Sequence, residues 1–341
     1  MTGVTHRTVE ADEAEQRLDR WFRRHWPHVS QGRIEKMCRK GEIRVDGARA
    51  KASTRIGPGQ SVRVPPLPEG EAPPAPPPTA IETPRDILDA VIFRDDHMLV
   101  LNKPPGLAVQ GGSKQTRHLD AMLGGLRFGR NDDPRLVHRL DRDTSGLLVL
   151  ARTGAAAAAL GKLFRSKAVD KIYVAVVAGR PEPSAGTIRY GLVKAGGRGA
   201  EKMETVHPAR IDETPGAKTA ITDYRVIDQL GTRLAAVALR PVTGRTHQLR
   251  AHMAALGTPI AGDGKYGGRS QENLGDGWGA GLGGGLSRKL HLHAVQLHLP
   301  HPVTGGDLSF FAPLPEHMAR TWSAVGWDPQ DLKEDLIERP I

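Results

Sequence analysis

The sequence predicts an α+β protein of two folded units, and three observations carry that expectation. A helix pair followed by a hairpin signal fills residues 1–64. A proline-dense stretch over 65–85 follows, with Pro65-Pro66, Pro73-Pro74 and Pro76-Pro77-Pro78, and reads as a semi-rigid polyproline-II spacer. Beyond it, short apolar and alternating runs of strand type recur, with helical stretches between them. A chain of 341 residues is long enough for two domains with sizeable cores.

In the first unit, Leu18, Trp21, Phe22 and Trp26 recur at helical spacing, so residues 13–26 are expected to form an amphipathic helix. Ser30 stands as the N-cap of a second helix carrying Ile34, Met37 and Cys38, and Gly41 as its stop. Ile43-Arg44-Val45 runs into Asp46-Gly47, a hairpin signal, and Ile56-Gly57-Pro58-Gly59 turns the chain into a last strand over 61–64. The polar faces carry Arg20, Arg33, Lys36, Arg39, Lys40 and Arg44 among other cations. Charges clustered on one compact unit point to RNA phosphates; the plain alternative is a solvated basic surface. From Arg17-Leu18-Asp19 through Ser30 and 41–47 to 59–62, the pattern resembles the S4 RNA-binding module.

Composition agrees with a polyanionic partner. Lys and Arg number 48 against 38 Asp and Glu, a formal charge of +10. The single cysteine, Cys38, excludes an intramolecular disulfide and favours a reducing compartment. No apolar run approaches the length of a membrane span, and Glu10, Asp12 and Glu13 occupy the place of a signal peptide's apolar core. A cytoplasmic protein without membrane contact is expected, acting as a monomer.

The second unit, placed at 86–325, opens with Val91-Ile92-Phe93, a turn at Asp95-Asp96 and a strand over 98–101. The loop Asn102-Lys103-Pro104-Pro105-Gly106 is stiff at its prolines and allows close backbone approach at its glycine. Residues 155–167 read as helix, and 171–177, 220–227, 233–239, 290–299 and 308–311 as strands. A helix enters after Gly244-Arg245-Thr246-His247 with Leu249, Met253 and Leu256 on its apolar side. Gly262 to Gly267 is a tight loop, and 275–285 is glycine-rich enough to be a mobile insertion. Gly196, Gly197 and Gly199 mark a further loop able to touch RNA. The acidic stretch 326–341 is expected to be a helix or a tail.

The stretch 136–151 organises this unit. A polar knot (His138, Arg139, Asp141, Arg142, Asp143, Thr144, Ser145) sits immediately before Gly146 and a continuous apolar run, the pattern of a buried strand presenting chemistry at its mouth. Taken alone, the knot is equally a solvated loop with surface ion pairs. His138-Arg139-Leu140-Asp141 with Thr144-Ser145-Gly146, then Lys171-Ile172-Tyr173-Val174-Ala175, then Gly244 to Arg250 resemble, in order, the three signature motifs of the RluA-type pseudouridine synthases, across about residues 91–312. The loop at 102–106 resembles their leading loop.

This resemblance implies a mixed, mostly antiparallel sheet with a central cleft. It also implies an RNA pseudouridine synthase, an isomerase acting on specific uridines of 23S (large-subunit) ribosomal RNA or its precursor. Asp141 matches the catalytic aspartate, Tyr173 the tyrosine beneath the target ring, Arg250 the basic partner of the aspartate, and Arg139 the arginine that fills the gap left by a flipped base. Lys103 and His138 are expected at the RNA. The reaction requires no redox step and no hydrolytic water, so neither a metal nor an organic cofactor is expected. His291, His293, His298 and His301 are dense, but no paired Cys or carboxylate supports a metal site. Two other readings stand beside this one: a non-catalytic RNA-binding ribosome-assembly factor, and the same isomerase acting on transfer RNA.

Overall fold

A computed structural model describes residues 3–10, 13, 16–67, 83–111, 117–166, 168–195, 202–267 and 286–337. The chain divides into two compact units, 1–79 and 80–341. The spacer residues 68–82, the glycines at 196–199 and the glycine-rich 275–285 lie outside the described residues.

The first unit comprises β1 (Thr5–Thr8), β2 (Gln16–Arg17), α1 (Leu18–His25), α2 (Gln31–Lys40), β3 (Arg44–Val45), β4 (Ala48–Arg49), β5 (Arg55–Ile56) and β6 (Ser61–Val64). Its sheet has the order β1-β6-β3-β4, and β2 pairs separately with β5. The helix expected over 13–26 begins only at Leu18, because Gln16 and Arg17 pair with Ile56 and Arg55. Glu13 is instead a buried anchor whose carboxylate accepts from Trp21 Nε1 at 2.7 Å. Ser30 occupies the N-cap position, although its hydroxyl makes no cap bond, and Gly41 closes α2 in the left-handed conformation. Asp46 and Gly47, with φ of 49° and 77°, form the tight turn that suits a two-residue hairpin. Leu18, Trp21, Phe22, Ile34, Ile43 and Val62 fill the core. Leu67 joins them, so this unit's packing extends three residues past Val64.

The second unit carries α3 (Arg85–Asp89), β7 (Val91–Arg94), β8 (Met98–Lys103), β9 (Arg135–Leu136), β10 (Ser145–Ala151), α4 (Gly154–Ser166), β11 (Asp170–Ala178), β12 (Ala185–Lys194), β13 (Met203–Val206), β14 (Lys218–Leu230), β15 (Leu234–Pro241), α5 (Gln248–Ala255), β16 (Leu292–Pro300), β17 (Asp307–Phe311) and α6 (Glu316–Val325). The strands form one 11-stranded sheet, order β13-β12-β14-β15-β11-β16-β10-β8-β7, with β17 on β16 and β9 on β10. Pairing is antiparallel except where β10 runs parallel to β16. Gly146 makes that junction possible: its φ is 106°, and a Cβ there would lie 2.2 Å from the Ala294 carbonyl oxygen.

Strand β11 divides its side chains between two cores. Tyr173, Ala175 and Val177 face the layer built with Leu160 of α4, Met253 of α5 and Met122. Ile172, Val174 and Val176 face Met318, Trp322 and Trp327 on the other side. The acidic C-terminal stretch is not a free tail within its described part. Leu332 and Leu336 are buried in that second core, and Gln296 Nε2 donates to the Leu332 and Glu334 carbonyls, both at 2.8 Å. The charges there face water while two leucines four residues apart dock, a helix-type spacing that the run of acids masks.

Candidate active site

The polar knot before β10 is held from below by a buried ammonium. Lys103 is fully buried, and its Nζ donates to the carbonyls of Pro104 (2.8 Å), Leu107 (2.9 Å) and Arg142 (3.1 Å). Gly106 N–H adds a 2.9 Å bond to the same Arg142 carbonyl. Burial pulls the amine down to about 7, with Asp143 and Asp141 acting in the opposite direction. The expectation that Lys103 contacts RNA is therefore corrected. Its charge is spent on backbone carbonyls, and it fastens the loop at 103–107 to the loop that carries Asp141.

His138 is half-buried, with its ring engaged by the protein's own groups. Its Nε2 accepts from Val149 N–H at 2.8 Å, and its ring stacks on Phe164 with centroids 4.3 Å apart. Burial, with Lys171 nearby, lowers it to about 3, so it is neutral at any physiological pH. A neutral ring with its acceptor occupied contributes no charge towards a phosphate.

Asp141, Tyr173, Arg250 and Arg139 line one cavity of about 150 Å³, together with Lys171, Thr243, Arg245, His247 and Gln248. The carboxylate of Asp141 is 19% exposed, with Arg250 Nη1 at 3.8 Å and His247 Nε2 at 3.9 Å from its Oδ2. Tyr173 is buried beside it, and burial together with the Asp141 charge raises its phenol well above the ordinary value. Arg139 is exposed at the cavity wall, two residues before Asp141 on the same segment. Asp143 turns away, bonded to Arg142 Nε at 3.0 Å.

The principal partner of Arg250 is a residue the sequence did not single out. Asp263, 1% exposed, takes Nε at 2.7 Å and Nη2 at 2.6 Å in a two-point bond. Burial opposes the guanidinium charge, and Asp263 more than offsets it, so Arg250 sits above its ordinary value. Gly262 delivers this carboxylate: its φ is 75°, and a Cβ would lie 2.0 Å from the Lys289 carbonyl oxygen. The glycine-bounded spacing of 262–267 was the available signal.

His247 heads α5 with φ of 51°, a left-handed conformation rare outside glycine and recurrent at functional sites. Its Nδ1 lies 3.1 Å from Tyr266 Oη, which also accepts Met203 N–H at 2.8 Å. Gln248 braces the loop before the helix, accepting from Arg245 N–H (3.0 Å) and donating to the Ile221 carbonyl (2.8 Å). A second cavity of about 510 Å³ adjoins the first at Asp141, His247 and Arg250 and is bordered by Arg142, Lys194 and Lys265.

In the first unit Arg20, Arg33, Lys36, Arg39, Lys40 and Arg44 are all exposed. The four histidines of 291–301 are occupied by hydrogen bonds within the protein: buried His291, His293 and His301 to Thr321, Ser145 and Asp95, and half-buried His298 to Ser309. Among the described residues no three His, Cys, Asp or Glu side chains converge as a metal site would require, and no helix is long and apolar enough to cross a membrane.

Comparison with known proteins bears on this geometry. The family model for RNA pseudouridylate synthase matches residues 97–255. The chain is 34% identical over 329 residues to the ribosomal large subunit pseudouridine synthase C of Vibrio cholerae, covering 93% of this chain and 95% of that protein. It is 34% identical over 316 residues to the Rickettsia prowazekii protein of the same name, covering 89% and 95%. Among solved structures, Human RNA Pseudouridylate Synthase Domain Containing 4 superposes with a TM-score of 0.57 at 29% identity, covering 71% of this chain and 95% of that chain.

Proposed function

The chain belongs to the RNA pseudouridylate synthase family, and from that premise we propose that it isomerises specific uridines of large-subunit ribosomal RNA, with Asp141 as the catalytic carboxylate. The observation that carries this reading is the single cavity shared by Asp141, Tyr173 and Arg250. Isomerisation breaks the N1–C1′ bond, turns the base and joins C5 to C1′. A carboxylate must stand at the sugar and base, with a cation to aim it. Arg250, fixed by Asp263, provides that cation. Tyr173 supplies an apolar wall with a neutral phenol, against which the detached base is retained. The chemistry asks for no cofactor in any of the routes open to Asp141: attack at the sugar carbon, addition to the base, or removal of a sugar proton.

A stacked uridine cannot reach this cavity, so it is extruded, and Arg139 is the residue positioned to fill the gap. Ribosomal RNA is preferred as substrate because the relatives named for the large ribosomal subunit align over 93% and 89% of this chain, well into the first unit. That unit, read as an S4-like module, would dock RNA through the exposed cations of α1 and α2, and the protein would act in the cytoplasm.

The test is pseudouridine mapping of ribosomal RNA from cells with the gene, without it, and with Asp141→Asn. Sites lost on deletion should stay lost in the Asp141→Asn strain while the purified variant keeps its RNA affinity within a few fold. Identical maps in all three strains would overturn the assignment, and losses confined to transfer RNA would redirect the substrate.

A further inference from the structure

Lys171 lies on β11 two residues before Tyr173 and lines the same cavity. Strand alternation puts both side chains on one face, since Ile172 and Val174 belong to the opposite core. The ammonium sits 5.9 Å from the Phe164 ring centroid, beside the His138–Phe164 stack. Among the described residues it has no hydrogen-bond partner and no ion pair; the neighbouring Asp170 is paired with Arg240 at 3.0 Å. Burial lowers its pKa, opposed only by the charge of Asp170.

The contrast within the cavity is direct. Arg250 is buried and doubly bonded, and Lys171 is half-buried and unbonded. An ammonium drawn out of water without a partner is unfavourable in the empty protein. Its presence is accounted for when the missing partner arrives with the substrate.

The proposed chemistry generates such a partner. When N1–C1′ breaks, the electron pair stays with the base, and uracil separates as an anion whose charge is shared by N1 and its two carbonyl oxygens. We propose that Lys171 Nζ is a catalytic residue that donates a hydrogen bond to a carbonyl oxygen of the detached uracil anion and holds it while it turns over Tyr173. The inference rests on the pseudouridine synthase reading with Asp141 as the carboxylate. The step balances without a co-reactant: C5 bonds to C1′, C5 loses its proton and N1 gains one. Lys171 keeps its own proton throughout. A donor aimed at charge that develops only as the bond breaks acts on the transition state more than on docking.

A backbone phosphate is the competing anion, and position argues against it. Lys171 borders the small cavity and is absent from the larger one, where Arg142, Lys194 and Lys265 face the outside.

The experiment is single-turnover kinetics on a structured ribosomal RNA fragment, using the full-length wild type, Asp141→Asn, Lys171→Met, Lys171→Gln and Lys171→Arg. Lys171→Met and Lys171→Gln should react about 100-fold more slowly, the usual scale for one transition-state donor, with RNA affinity within threefold. Lys171→Arg should recover part of the rate. Lys171→Met should melt no lower than wild type, because an unpaired charge has been removed. The wild-type rate should fall on the alkaline side below the ordinary lysine range, and that limb should move upward in Lys171→Arg. A wild-type rate in Lys171→Met, a loss in affinity that matches the loss in rate, or a lowered melting temperature with no recovery in Lys171→Arg would each overturn the proposal. Wild-type turnover with a dead Asp141→Asn, alongside any of these, removes only the role of Lys171. A wild type that forms no pseudouridine, or an active Asp141→Asn, removes the underlying reading instead.

Discussion

The two units place their cations in opposite ways. Every Lys and Arg of α1 and α2 is exposed, above a core that includes Leu18, Trp21, Phe22 and Ile34. The second unit draws Lys103 and Arg250 into its interior and bonds each to fixed acceptors. Exposed cations act through a screened field that tolerates sequence change and responds to salt. Buried cations act through geometry, and losing one partner strands the other. The difference separates a surface suited to meeting a polyanion from a site suited to aiming a side chain.

The sharpest way to break this comparison is to strip an aimed cation of its partner. Asp263→Asn leaves Arg250 buried with only the more distant Asp141 carboxylate, 3.8 Å away, as countercharge, and removal of one member of a buried pair costs about 3–5 kcal/mol, the lower end applying where an amide still accepts a bond. Denaturant unfolding should register the loss, and single-turnover rates should fall by more than tenfold because Arg250 is no longer held towards Asp141. Stability and rate both equal to wild type would mean that Arg250 is aimed by something else.

Lys103→Met tests the other buried cation. It removes the donor from the Pro104 and Leu107 carbonyls, while the Arg142 carbonyl keeps the Gly106 N–H; each unsatisfied buried acceptor costs about 1–3 kcal/mol, partly offset by removing a buried charge. A net loss of about 2 kcal/mol at neutral pH is expected. The pH dependence has a definite sign. Below about 7 the amine is protonated in both folded and unfolded chains; between about 7 and 10.5 only the unfolded chain keeps the proton. Wild-type stability relative to Lys103→Met should therefore rise with pH across that window and level off above it. Urea midpoints of both proteins from pH 6 to 10.5 measure it, and a difference independent of pH would show that Lys103 stays charged when folded.

These buried positions are also where sequence and structure part. The strands at 147–151 and 171–177, the hairpin at Asp46-Gly47 and the helix ending at Gly41 were legible because period, turn chemistry and caps are local. Asp141, Tyr173 and Arg250 were named through motif resemblance, and folding brings them to one cavity. Lys103 was misjudged because a polar residue in a motif reads the same whether it faces a ligand or a carbonyl; only burial separates the cases. Asp263 was missed because its meaning lies in its bond to Arg250, 13 residues back, which no period encodes. Leu332 and Leu336 were outweighed by the acids around them.

The docking side of the comparison predicts a smaller, salt-dependent effect. Arg33, Lys36 and Lys40 form one exposed stripe along α2. Replacing all three with Gln in the full chain should make the slope of log affinity against log salt shallower by about 2, at 0.7–0.9 for each phosphate left without its cation. Melting temperature and the saturating single-turnover rate should stay near wild type. An unchanged slope would remove α2 from the RNA surface and leave its charges as solvation.

The smallest effect separates two carboxylates two residues apart. Asp141 borders the cavity with Tyr173 at 19% exposure, whereas Asp143 is 41% exposed and pairs with Arg142, itself 57% exposed. A pair that open to solvent contributes about 0–1 kcal/mol. Asp143→Asn should therefore keep its single-turnover rate within about fivefold of wild type, since 1.4 kcal/mol is a factor of ten. Its one internal consequence runs through Lys103, whose charge Asp143 favours. Losing that carboxylate lowers the amine further and starts the pH-dependent rise in stability at a lower pH. An inactive Asp143→Asn beside an active Asp141→Asn would exchange the two roles, placing the chemistry in the larger cavity that Asp143 borders and Tyr173 does not.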